Sequence, residues 1–172
     1  SHADVIMTSD THLNGSSRAF EISQKTEGDY YCILQGDEPT IPPSEIQSFI
    51  SKIKTNKNAD VWNAVASLRD QSDLDNPSFV KATISQNSSI HYCFRRSLSN
   101  NPFHLQKSYI AKILGLICFS NDALIKFNNR EQSLIESSES IEQLRLLELK
   151  LDVKGIYLSQ PFPSINLSLI HI

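Results

Sequence analysis

Tyr30-Tyr31-Cys32-Ile33-Leu34-Gln35-Gly36-Asp37-Glu38-Pro39 decides how this chain is read. Five β-favouring, apolar residues end in a glycine turn that carries two adjacent carboxylates. Ligands of open α/β sheets bind outside the carboxyl ends of the strands, so the pattern sets a buried strand first and chemistry just after it. Gly36 is expected to permit a tight bend. Asp37 is expected at the sheet edge as a hard oxygen ligand, suited to Mg²⁺ bound to phosphates. Acidic turn residues are also common where they have no such task.

Working outward, Thr40-Ile41-Pro42-Pro43-Ser44 stops the strand region, and Ser44 with Gln47 predicts a capping box that opens a helix. Ile46, Phe49, Ile50 and Ile53 recur at helical spacing, so one face of that helix should pack on the sheet. Upstream, Asp4–Thr8 reads as a short strand, followed by a polar loop and a helix from about Arg18. Downstream, Val61–Ser67 reads as a strand. Phe79–Ile84 and Ile90–Phe94 form a hairpin candidate around Gln86-Asn87-Ser88-Ser89, which lacks the usual glycine. Ser97–Gln106 reads as a polar loop, Ile113–Phe119 as a strand and Asn121 as the start of a helix. Ser140 with Gln143 suggests a second capping box, for a helix to about Leu149, before a last strand at Val153–Leu158. Lys112, inside an apolar strand, has no evident place. The alternation predicts an α/β fold with a mostly parallel sheet.

With 172 residues, one domain spanning 1–172 is expected. A 40% hydrophobic and 20% charged composition is that of a soluble globular protein, and a net charge of −3 offers no basic surface for nucleic acid. No basic segment followed by an apolar one marks a leader. The longest apolar stretch, Tyr109–Phe119, is broken by Lys112 and too short to cross a bilayer. Cys32, Cys93 and Cys118 are odd in number, widely spaced and set in apolar runs, which predicts buried free thiols and a cytoplasmic protein. Metal-ligand spacings of the C-x-x-C or H-x-x-x-H type do not occur.

Several segments together resemble one family. Leu34-Gln35-Gly36-Asp37-Glu38-Pro39 with Ile41-Pro42-Pro43 resembles the L-Q-G-D-E-P-x-I-P-P signature of the sugar-acid cytidylyltransferases, most closely those acting on 3-deoxy-manno-octulosonate. Val5-Ile6-Met7-Thr8, His12 and Asn14-Gly15-Ser16-Ser17-Arg18 are similar to V-x-M-T and H-x-S-G-T-D-R. Asp75-Asn76-Pro77 with Val80-Lys81, Tyr92-Cys93-Phe94-Arg95, Leu114-Gly115-Leu116 and Ser140-Ile141-Glu142-Gln143-Leu144-Arg145 follow in the family's order. The family's opening strand and basic loop, of the type L-x-x-R-x-x-S-x-R-L-P-x-K, has no counterpart here. Asn166 stands where the family carries a second metal-binding aspartate.

The resemblance implies a nucleotide-diphospho-sugar transferase-like, Rossmann-like sheet, N-terminally incomplete. It also implies a hairpin subregion over 79–119 through which a homodimer forms. It implies transfer of CMP from CTP to 3-deoxy-manno-octulosonate, with Mg²⁺ and release of pyrophosphate, for lipopolysaccharide synthesis. Asp37 would hold the metal, with Asn166 as a weaker oxygen ligand. Gln35, Glu142 and Gln143 would bind the sugar, Arg95 its carboxylate, and Arg18 the nucleotide. The missing loop leaves open a non-catalytic binding or assembly module, or an enzyme for a nonulosonate acid. It also predicts an exposed sheet edge.

Overall fold

In the computed structural model, which describes residues 4–12 and 14–162, one six-stranded mixed sheet is covered on both faces by helices. Its spine is the longest strand, β5 (Ile110–Ser120). One edge of β5 is taken by β2 (Val61–Ser67), which pairs in turn with β6 (Val153–Tyr157). The other edge is shared by two strands placed end to end. β1 (Tyr30–Leu34) pairs with residues 116–120 of β5, and β3 (Lys81–Ile84) with residues 110–112. β4 (Ile90–Phe94) closes the hairpin with β3, and Ser88 (φ 65°) takes the left-handed turn position that a glycine would usually hold. β1, β2, β3 and β6 run in one direction, yet only the β2–β6 ladder is parallel because antiparallel β5 lies between the others.

Burial explains the composition of the strands. Val61 to Ala66 in β2 are all buried, as a central strand covered on both faces requires. One face packs Trp62, Ala64, Leu114, Leu116 and Cys118 against Phe49 and Ile53 of α2 (Pro43–Thr55). Trp62 is thus a core residue, edge-on to Tyr30. The opposite face packs Val61, Val65, Ile117 and Phe119 against α5 (Asn121–Asn128) and α7 (Gln143–Glu148). No helix among the described residues is long and apolar enough to cross a membrane.

Several local expectations are corrected. Asp4–Thr8 forms no strand: Val5 and Met7 are exposed, and no strand among the described residues lies beside them to pair with. Helix α2 begins one residue before Ser44, with Pro42 as N-cap and no side-chain cap bond, because Pro43 at the first helical position needs no N–H partner. The helix near Arg18 is α1 (Gly15–Ser23), capped by Asn14. Short helices α3 (Gln71–Asp75) and α4 (Phe103–Gln106) occupy stretches read as loop. A further helix, α6 (Leu134–Glu139), holds the true capping box, Ser133 with Glu136. Ser140 ends α6 in a left-handed conformation, its N–H donating to Glu136 O, and is not the N-cap of the next helix.

Candidate functional site

Where β1 ends and β3 begins on the same edge of β5, the strands diverge and a cleft of about 790 Å³ opens. The chain leaves β1 at Gln35, whose N–H donates to Gly115 O at 2.8 Å, and returns at Val80, whose carbonyl accepts from Ile113 N–H at 2.9 Å. Gln35, Asp37 and Glu38 form one wall, the loop before β3 another, and Ser140–Gln143 the third.

The first wall is fixed by an intimate contact. Glu38 is buried, and its Oε1 accepts from Gly115 N–H at 3.0 Å. A Cβ on Gly115 would lie 2.7 Å from Glu38 Cγ and 3.0 Å from Gln35 Oε1, so only glycine lets the loop dock this closely. Gly36 behaves differently from the expectation. It has no positive φ, and nothing lies within 4 Å of where its Cβ would be. Its missing side chain leaves space beside the loop and is not required by the bend. Asp37, next to it, is exposed at the mouth of the cleft.

The wall at Ser140–Gln143 rests on buried polar side chains. Glu136 and Arg145 form a buried ion pair, Nη2 donating to Oε1 at 2.9 Å and Nε lying 2.8 Å from Oε2, with the guanidinium stacked 3.7 Å from the Phe127 ring centre. Gln143 does not cap the helix. Its Nε2 donates to Oδ1 of the fully buried Asn63 at 3.0 Å, while Asn63 Nδ2 donates to the carbonyls of Ala64 and Leu114. Glu142 accepts from the Ser16 hydroxyl at 2.7 Å, and burial pushes its carboxyl above the usual range.

Cationic groups gather beside the loop before β3. Arg69 grips Asp73 with two bonds of 3.0 and 2.9 Å, and this guanidinium holds the Asp73 carboxyl below its usual range. Arg95 donates to the carbonyls of Glu139, Ser140 and Pro77, each at 3.0 Å, and so ties the end of α6 to the loop before β3. Lys112 is buried, its ammonium 3.7 Å from the Phe79 ring centre, and burial lowers its pKa against the opposing charges of Glu38 and Asp73. It forms no ion pair among the described residues. Its cross-strand neighbour Lys81 is fully buried and donates to the carbonyls of Asn76, at 2.7 Å, and Arg95. Burial, then the charge of Arg95, pushes Lys81 down to about 8.

The fold therefore brings Gln35, Asp37, Arg95, Glu142 and Gln143 to one cleft. Arg18 is not among its lining residues: it is exposed, and its guanidinium holds Thr8 Oγ1 at 2.8 Å and Ser9 O at 2.9 Å. Asn166 lies outside the described residues. Asn63, Arg69 and Asp73 carried no signal in the sequence, whereas Lys112 stood out as a lysine inside an apolar strand and Ser16 and Lys81 lay in the resembling motifs. The cysteines are all free, but Cys32 is exposed and not buried as expected, since β1 has a second strand on only one side among the described residues.

The chain is similar to curated enzymes and to solved structures. It is 31% identical over 166 residues to the 3-deoxy-manno-octulosonate cytidylyltransferase of Pelodictyon phaeoclathratiforme, covering 95% of this chain and 67% of that one. The enzyme of the same description from Fusobacterium nucleatum subsp. nucleatum is 34% identical over 150 residues, covering 87% and 61%. A CMP:2-keto-3-deoxy-manno-octonic acid synthetase complexed with CTP superposes with a TM-score of 0.79 at 27% identity, over 89% of this chain and 63% of that one. The chain thus spans about two thirds of the length of these relatives. The fold is that of the nucleotidyltransferases, as the mixed sheet and this superposition agree. Residues 1–153 match the family described as cytidylyltransferase, and the chain belongs to that family.

Proposed function

We propose that this chain carries the sugar-acid and metal-binding half of a cytidylyltransferase that transfers CMP from CTP to 3-deoxy-manno-octulosonate and releases pyrophosphate. The observation that carries the reading is the cleft at the carboxyl end of β1, with an exposed carboxylate on one wall and hydrogen-bonding side chains on the facing one. The described residues contain no group of three or more His, Cys, Asp or Glu fit to hold a metal. That donor set still suits Mg²⁺, which takes one or two carboxylates and completes its shell with water and substrate phosphates. Asp37 would hold the ion, which when bound supplies charge neutralisation at the phosphoryl oxygens.

The chain's own residues do the rest. Gln143, with Nε2 committed to Asn63, offers Oε1 to accept from a sugar hydroxyl. Glu142 accepts from a second hydroxyl, and Gln35 borders the same space. The sugar carboxylate is met by positive charge from Arg95 and Lys112. Arg95 has three of its N–H groups engaged with carbonyls, while Lys112 has no anion paired to it among the described residues. Release of charge onto pyrophosphate is then favoured by electrostatic stabilisation aimed at the phosphoryl group. The 79–119 subregion, with Tyr92, Leu98 and Leu105 exposed and Tyr92 stacked on Phe94, supplies a surface for a homodimer.

The test is pyrophosphate release by the chain with CTP, Mg²⁺ and 3-deoxy-manno-octulosonate, beside an Asp37→Ala control. Turnover that vanishes with Asp37→Ala is expected. Turnover that survives the substitution contradicts the assignment of Asp37. A chain that binds the sugar acid and never turns over would instead be a binding module.

A further inference from the structure

Cys32 and Cys118 are remote in sequence yet stand directly opposite each other on β1 and β5. The hydrogen bonds on either side fix the kind of pair they form. Gln35 N–H donates to Gly115 O and Asn121 N–H donates to Asp29 O, so in this antiparallel ladder the bonded pairs fall at 29, 31, 33 and 35. Residue 32 with residue 118 falls between them. A pair at such a non-hydrogen-bonded position has its Cα atoms about 4.5 Å apart and its side chains on one face. A disulfide spans about 4.4–6.8 Å between Cα atoms, so the pair can close without moving the strands.

The two thiols differ in access. Cys32 is exposed, while Cys118 lies fully buried beneath it among Trp62, Leu116 and Phe49. We propose that Cys32 and Cys118 form a dithiol site that reduces a small-molecule disulfide and closes into a reversible cross-strand bond. The Cys32 thiolate attacks one sulfur of the small disulfide, forming a mixed disulfide and expelling the first small thiolate. Cys118 then gives up its proton, and its sulfur attacks Cys32 Sγ and expels the second. Two protein thiols are oxidised by two electrons, and one small disulfide becomes two thiols. Cys32 is the exposed thiol, and the neighbouring Cys118 thiol holds its pKa below the usual range, which makes it the attacking group. The neighbouring Cys32 and burial raise Cys118, and formation of the mixed disulfide removes the Cys32 charge from beside it. The bond would staple β1 to β5 two strand positions short of Leu34, after which the wall carrying Gln35 and Asp37 begins.

Glutathione disulfide is the probe, and Cys93, fully buried in the core on the opposite face of the sheet, is the internal control. After incubation and denaturation, titratable thiols should fall from three to one. The intact mass should drop by two hydrogens, a peptide should link Cys32 to Cys118, and dithiothreitol should restore all of this. Cys32→Ser should keep both of its thiols under the same treatment. Three retained thiols, a glutathione adduct left on Cys32, a link to Cys93 or a link between two chains would each overturn the proposal.

Discussion

The wall built by residues 35–38 hangs from backbone contacts with a glycine, whereas the wall built by residues 136–145 rests on buried charged and amide side chains. The first is thin and presents the Asp37 carboxylate to solvent. The second is thick, and its cleft-facing groups are tied by partners beneath them. A metal-binding carboxylate gains from exposure, because burial would favour its neutral form. Groups proposed to select among sugar hydroxyls, as Glu142 and Gln143 are here, gain from fixed orientation, which costs the fold a buried polar network.

The comparison breaks most readily at the buried ion pair. Glu136→Ala leaves the Arg145 charge without its carboxylate in the core, an expected loss of about 3–5 kcal/mol in denaturant unfolding. A loss near zero would mean that the second wall does not depend on this pair. Next in size is Gly115→Ala. Its Cβ meets the Glu38 side chain at 2.7 Å, and overpacking of this kind costs about 1–3 kcal/mol. The matched control is Gly36→Ala, where nothing obstructs a Cβ, so stability should stay within about 0.5 kcal/mol. Equal stability losses at the two glycines would remove the distinction between them.

Lys81 sharpens the comparison through pH. Its folded pKa of about 8 lies below the ordinary lysine value of 10.5, so between these values the unfolded chain binds more protons than the folded one. Stability therefore rises as pH increases across that window. Lys81→Met should flatten the rise relative to the unsubstituted chain in unfolding measured from pH 8 to 10.5. A parallel rise in both proteins would show that Lys81 is not the group responsible.

Much of this was legible in the sequence, for reasons that differ by element. β1 and β2 were readable to the residue because an apolar run bounded by turn residues has little alternative to a strand. Their partners were not readable, since the insertion of antiparallel β5 among like-directed strands depends on contacts between remote segments. Both Ser-x-x-Gln capping boxes misled. Pro43 had already set the start of α2, and Asn63 claimed the Gln143 amide from 80 residues away. Of the candidate site, Gln35, Asp37, Arg95, Glu142 and Gln143 were found through motif resemblance and do meet in the cleft. Asn63 and Asp73 were invisible because a buried polar residue declares its role only through partners brought together by the fold.

The central claim is that Asp37 binds metal for a nucleotide held in this cleft. Its most direct test is a titration of the chain and of Asp37→Ala with CTP, each with and without Mg²⁺, by calorimetry. The account predicts that Mg²⁺ tightens binding to the unsubstituted chain and that Asp37→Ala abolishes this gain, a loss on the order of tenfold or about 1.4 kcal/mol. Without Mg²⁺ the two proteins should bind alike. An equal Mg²⁺ gain in both would contradict the account.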